Sequence, residues 1–290
     1  MLPPLQKAEK QIAEFFDQEN QHVFTRRELE FILDRFGWRW HLSAEIGFVE
    51  FQKSLEDREL LRRLELKSES YPGFKRFIWR EASPYEVALT LRKGSYLSHS
   101  TAVFLHGLID QLPELVYLNK EQSSKPSTRT ALTQEGIDRA FSRPQRKASY
   151  IVKAPDVRVI LLNGKYTDRL EVGRLEGPRG EALEVTKLER TLVDIVVRPA
   201  YAGGVYQILE TYRAAKERLS LGLLLSTLKK LDHAYPYHQA IGFYMEQAGY
   251  DEALLRRVER LGLEFDFHLA HGLRKTVYVP RWRLHCPEGF

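Results

Sequence analysis

A chain of 290 residues with 43% apolar content is long enough for two domains with well-buried cores, and nothing in it is repetitive or biased towards disorder. The single cysteine, Cys286, excludes an internal disulfide framework, no apolar run nears the ~20 residues of a membrane-crossing helix, and the opening MLPPLQKAEKQ lacks a signal-peptide core; the expectation is a soluble cytoplasmic protein with no membrane partner. The net charge of +5 is carried centrally: residues 86–170 hold 13 Lys/Arg against 8 Asp/Glu, residues 1–85 hold 14 against 15, and residues 171–290 hold 17 against 16.

Residues 5–19 place Leu5, Ile12, Phe15 and Phe16 at helical spacing and predict a first amphipathic helix. Thr25 and Glu28 predict a capping box for a second helix, continued by Leu29, Ile32, Leu33 and Phe36. A third is expected from near Ser43 through Ile46, Val49, Phe51 and Leu55. The stretch between them, RFGWRWHLS, is longer than a tight turn, with Trp38 and Trp40 expected in the core and Arg39 facing outward. LLRRLELK, the turn-like ESYPG and FKRFIWRE then read as a β-hairpin. Three helices followed by a hairpin is the order of a winged helix-turn-helix, which makes residues 1–82 an expected DNA-binding domain.

Residues 83–110 read as a helical connector. Ser83-Pro84-Tyr85-Glu86 opens a helix that Gly94 should end, and Tyr96 to Leu108 holds a short helix capped near Ser98 and stopped at Gly107. From 111 to 290 a mixed α/β domain is expected. Strand-like runs fall at 115–118, 149–152, 157–162 and 169–176, with a polar, basic connector between the first two. In Val185 to Val205, Thr186 and Glu189 form a second-domain capping box, Leu188, Leu192, Ile195 and Val196 share a face, Pro199 stops the helix and Gly203-Gly204 turns the chain. Runs at 205–218, 221–232 and after Asp251 then suggest a helical bundle, and the tail at 263–285 alternates like a strand. The fold class is therefore α+β.

The winged order nominates a DNA surface. Arg26 and Arg27 start the second helix, Ser43, Gln52 and Lys53 lie on the presumed recognition helix, Arg39 precedes it, and Arg62, Arg63, Lys75 and Arg76 lie on the wing. Lys125, Arg129, Arg139, Arg143, Arg146 and Lys147 form a second basic group, suited to phosphates or an acidic partner. Ordinary solvated charge is the competing reading of both. Enzymatic patterns are weak: Pro155-Asp156 with Glu184 and Lys187 gives E-x-x-K rather than a nuclease triplet, and His268 and His271, at an H-x-x-H spacing with His285 and Cys286 downstream, offer zinc-ligand types but no C-x-x-C partner, so ordinary structural histidines are expected. His99 and His106 read as packing or hydrogen-bonding groups. Arg190 and Asp194, four apart, are expected to pair along a helix surface. No enzyme, cofactor or metal is expected.

VTKLERTLVDIVVRPAYAGGV resembles the "V-T-x-x-E-R-T-L-x-D … P-x-x-A-G-G" signature of AbiEi-type antitoxins, the transcriptional-regulator half of type IV toxin–antitoxin and phage-defence modules. YLSHSTAVFLHGL resembles the "S-x-x-S/T-A-x-x-L-H-G-L" block joining the two domains of that family. The resemblance implies an N-terminal domain that binds inverted repeats at its own promoter and a C-terminal domain that supports repression and neutralises a nucleotidyltransferase toxin. It implies basic residues in the middle region as well. A stand-alone regulator of a defence locus without a toxin partner, and a metal-dependent nuclease targeted by its winged domain, are the alternatives. A nucleotidyltransferase gene immediately downstream would separate the first alternative from the antitoxin reading.

Overall fold

Local capping chemistry sets the first helices. The structure, a computed structural model that describes residues 4–124 and 131–290, opens with α1 (Pro4–Gln18), β1 (Val23–Phe24) and α2 (Arg26–Phe36). Thr25 Oγ1 accepts from the Glu28 amide while the Glu28 carboxylate accepts from the Thr25 amide, the expected reciprocal cap. After a 3-10 turn at Gly37–Trp40 come α3 (Phe48–Glu56), β2 (Leu61–Leu66), β3 (Phe74–Trp79) and α4 (Pro84–Leu89).

Two compact units share the chain. The first takes residues up to Gly94 with segments 150–160 and 176–183, and the second takes the remainder. In the first unit the antiparallel strands lie in the order β1-β3-β2, with Val23 opposite Ile78 and Leu61 opposite Trp79. Ile12 and Phe16 of α1, Leu29 of α2, Phe51 and Leu55 of α3 and Trp79 of β3 form one core, in which Phe16 stacks on Trp79 at 4.6 Å.

Three expectations in this unit are corrected. The third helix starts at Phe48, so Ser43 lies in the preceding loop, where its Oγ accepts from the Glu45 amide. The 3-10 turn has three residues per turn and places Gly37 and Trp40 on one inward face. Trp40 therefore stacks on Phe51 in the core, whereas Trp38 points out and is 69% exposed. Finally, α4 ends at Leu89, before Gly94.

In chain order the next elements are β4 (Tyr96–Leu97), α5 (His99–Leu105), β5 (Val116–Glu121), α6 (Gln134–Phe141), β6 (Ile151–Ala154), β7 (Val157–Gly164), β8 (Val172–Glu176) and β9 (Ala182–Thr186). They are followed by α7 (Leu188–Val197), α8 (Val205–Ala215), α9 (Leu221–Leu231), α10 (Tyr237–Gln247), α11 (Glu252–Glu259), β10 (Phe267–His268), β11 (Thr276–Val279) and β12 (Leu284–Pro287). The hairpin of β6 with the first half of β7 belongs to the first unit. In the second, the far end of β7 and then β5, β4, β9 and β8 lie side by side, and β10-β12-β11 form a small separate sheet. The basic connector is not all loop: α6 sits within it, capped by Thr133.

The helix α7 differs from its expected form. Its N-cap is Lys187, without a side-chain cap bond, and the Thr186–Glu189 box does not form. Thr186 is the buried last residue of β9 and its hydroxyl meets that of Thr191 at 2.8 Å, while Glu189 accepts from the Ser220 amide at 3.0 Å. Every residue from Glu189 to Val196 is buried. Arg190 and Asp194 do pair, Nε to Oδ1 at 2.8 Å, but inside the fold rather than along its surface. Truncating one member of a buried ion pair leaves the other charge uncompensated, at a cost of about 3–5 kcal/mol. Asp194→Ala should therefore lower the urea midpoint strongly at unchanged slope, and an unaltered midpoint would show that the pair contributes nothing.

Candidate nucleic-acid interface

The exposed cations of the first unit are set out by α2, α3 and the β2–β3 hairpin. Arg26 and Arg27 are the first two residues of α2, both exposed; Arg26 donates to Glu30 Oε1 at 2.7 Å, and its guanidinium lies 4.9 Å from the centre of the Phe48 ring at the start of α3. On α3, Lys53 is exposed, and half-buried Gln52 donates to Glu56 at 2.9 Å. Arg39 is exposed and lies over the Phe36 and Trp38 rings, at 5.3 and 5.4 Å.

On the hairpin, Arg62 and Arg63 are exposed neighbours on the edge strand β2, and Lys75 stands across from Glu65, with Nζ 3.7 Å from its carboxylate. Arg76 is corrected. Strand side chains alternate between faces, so with Lys75 outside Arg76 turns inward. It is 8% exposed, donating from Nε to Thr90 Oγ1 at 2.9 Å and from Nη2 to Thr90 O at 2.8 Å. Burial pulls this guanidinium below its ordinary pKa, and Glu28 acts in the opposite direction. It ties β3 to the end of α4 and offers nothing to an external ligand.

Sequence reasoning also missed an aromatic component. Phe31 on α2 and Trp38 in the turn that follows are both exposed; Arg35 lies 5.7 Å from the centre of the Phe31 ring and Arg39 lies over Trp38, so α2 and the turn after it each pair an arginine with an exposed ring. The signal available was the i, i+4 spacing of Phe31 and Arg35 on an otherwise polar helical face.

In the second unit Arg139 lies in the last turn of α6, and Arg143, Arg146 and Lys147 are exposed on the loop that follows. That loop is anchored at several points. The Gly272 amide donates to Phe141 O at 2.7 Å, Gln145 Nε2 to Val197 O at 3.1 Å, and the Ala148 amide to the Tyr201 hydroxyl at 2.8 Å. Lys125 and Arg129 lie outside the described residues.

The groups that could have hinted at catalysis are engaged elsewhere. Glu184 accepts from Arg169 at 2.6 Å and from Arg174 at 3.3 Å, and Lys187 pairs with Glu171 at 3.1 Å. His268 bonds Asp138 and stacks on His285 at 5.0 Å, and His271 donates to Ala140 O with its ring against Phe141 at 4.0 Å. Among the described residues no three His, Cys, Asp or Glu side chains converge as a metal site would require. His106 donates from Nε2 to Thr186 O at 2.8 Å, joining α5 to the end of β9.

Fold and surface together define a class: an α+β chain of two units, the first presenting arginines, aromatic rings and a basic hairpin. Among solved structures the chain is similar to the RV2827C protein from Mycobacterium tuberculosis, with a TM-score of 0.60 at 14% identity over 99% of this chain and 92% of that one. The likeness shows a shared fold along nearly the whole length. No protein-family model matches the chain, and no curated protein does.

His99 supplies a pH test of the second unit. It is buried, in a left-handed backbone conformation with φ 53°, and its Nδ1 is 2.9 Å from Ser98 Oγ. Burial, then the charges of Arg198 and Arg190, push the imidazole from 6.5 down to about 3. The folded state thus resists a proton that the unfolded chain accepts, so stability is complete above pH ~6.5 and lost as the pH falls from there towards 3, by up to about 1.4 kcal/mol per pH unit. His99→Asn, which tolerates positive φ, should flatten the dependence of the urea midpoint on pH between 6 and 4; a slope equal to wild type would refute it.

Proposed function

We propose that this chain is a DNA-binding transcriptional autorepressor acting as the antitoxin of a type IV toxin–antitoxin system whose toxin is a nucleotidyltransferase. The observation that carries the DNA reading is the element order α1-β1-α2-α3-β2-β3 with strands ordered β1-β3-β2, which supports reading the first unit as a winged helix-turn-helix. On that reading α3 enters the major groove with Gln52 and Lys53 towards base edges, and the β2–β3 hairpin is the wing. Arg26 and Arg27, at the positive N-terminal end of α2, and Arg62, Arg63 and Lys75 on the wing hold phosphates. The second basic surface around Arg139, Arg143, Arg146 and Lys147 adds phosphate contacts or docks an acidic partner.

The antitoxin part of the reading rests on the AbiEi-type signature in Val185 to Val205. Its threonines, glutamate, arginine and aspartate are all spent on hydrogen bonds within the fold, which supports action by binding rather than by chemistry.

The test is a gel shift on the DNA upstream of the chain's own gene across a salt series. Replacing Arg62 and Arg63 together by alanine should weaken binding at every sequence and reduce the slope of log affinity against log salt by roughly two. Arg76→Ala should lower thermal stability but keep the wild-type slope. An unchanged shift in the double variant would overturn the wing assignment. For the antitoxin part, co-expression with the neighbouring gene should rescue growth, and failure to rescue from a toxic nucleotidyltransferase would remove it.

A further inference from the structure

One side chain of α3 is apolar yet stands in solvent. The helix is anchored by its aromatic residues: the Phe48 ring meets Phe77 of β3 edge-on at 5.8 Å, and Phe51 and Leu55 are buried. Each residue turns an α-helix by about 100°. Val49, two residues before Phe51, is therefore driven to the opposite side, where it is 72% exposed. Gln52 and Lys53 follow it at the i+3 and i+4 positions, so the three share one face.

The exposed residues of α3 are Val49, Glu50 and Lys53, and of these Val49 alone is apolar. Neither of the two at the start of the helix suits a phosphate, since valine has no donor and the Glu50 carboxylate repels an anion. The group at this end that can hold one is Arg26, whose guanidinium lies over the Phe48 ring at 4.9 Å. Space is open beside it, because a Cβ built on Gly47, the residue before the helix, would meet nothing within 4 Å.

What Val49 can recognise follows from the chemistry of the major groove. Donors and acceptors cover the base edges there, and the thymine 5-methyl is the one apolar group among them. A valine against any other edge strips water from polar atoms and returns no hydrogen bond. Against the methyl it buries apolar surface on both sides. On the reading of α3 as the helix that enters the major groove, on which this inference rests, we infer that Val49 packs against the 5-methyl of a thymine and makes that base pair part of the recognised site. Val49 thus joins Gln52 and Lys53 as a base-reading residue, one that works without a hydrogen bond.

The test exchanges each thymine for deoxyuridine, one at a time, in the stretch upstream of the chain's own gene that the full chain protects from nuclease. The exchange removes one methyl and leaves every base-pairing hydrogen bond in place. In gel shifts the wild-type chain should lose about fourfold in affinity at one position or more, the worth of one buried methyl. Val49→Ala should bind the thymine and deoxyuridine forms of that position equally. It should keep the wild-type dependence on salt, because no phosphate contact is lost, and the wild-type thermal midpoint, because the site is exposed. If the wild-type chain binds but tolerates deoxyuridine everywhere, or if Val49→Ala stays as sensitive as wild type at every position, the thymine contact is overturned while the DNA reading stands. A wild-type chain that leaves the upstream DNA unshifted overturns both.

Discussion

A guanidinium buried inside α7 is the constraint around which the second unit is arranged. Arg190 is held by Asp194 one turn along, and it reaches on to Leu170 O at 2.9 Å and Thr167 Oγ1 at 3.3 Å. Thr167 in turn donates from its hydroxyl and amide to Glu121 at the end of β5; the Arg169 amide and the Tyr96 hydroxyl donate to the same carboxylate. Asn119 Nδ2 closes the network on Tyr96 at 2.7 Å. Burial alone would raise the Glu121 pKa, but these donors outweigh it and hold the group below its ordinary value, so it stays ionised. One connected set of charges thus fixes β4, β5, the segment before β8, and α7 with respect to one another. A fully satisfied buried network of this kind specifies a single arrangement more than it adds stability.

The same network explains which features could be read in advance. The caps at Thr25–Glu28 and Ser83–Glu86 formed as expected because each is closed by residues three apart and needs nothing from elsewhere. Thr186 and Glu189 have the same spacing, yet both are claimed by other partners: the hydroxyl by Thr191 within α7, the carboxylate by Ser220, 31 positions on. The hairpin was legible from its two strand-like runs around a turn; that neighbouring Arg62 and Arg63 are both exposed follows from the edge position of β2, and the bonds that hold Arg76 inside come from Thr90, at the end of α4. α10 escaped notice because it is buried on nearly every side and so has no polar stripe to set a period. Its central Gly242 is required by packing, since a Cβ there would lie 2.1 Å from the Trp282 ring.

The two cationic surfaces differ in kind. In the first unit the positive groups are interleaved with carboxylates, as in Arg26 with Glu30 and Lys75 with Glu65, so attraction there is short-ranged and depends on shape. In the second unit, Arg143, Arg146 and Lys147 follow one another on a loop held to Val197 by the Gln145 side chain and to Tyr201 by the Ala148 amide. Little conformational freedom is left to lose when a partner engages it.

The outward turn of Trp38 has a spectroscopic consequence. Of the four tryptophans, Trp40, Trp79 and Trp282 are buried at 5%, 0% and 0% exposure while Trp38 stands in solvent. Its emission is the component that a dissolved quencher such as iodide reaches in the folded chain. The arginine-flanked turn after α2 therefore carries its own optical label, one that reports whatever comes to cover it without any dye being attached.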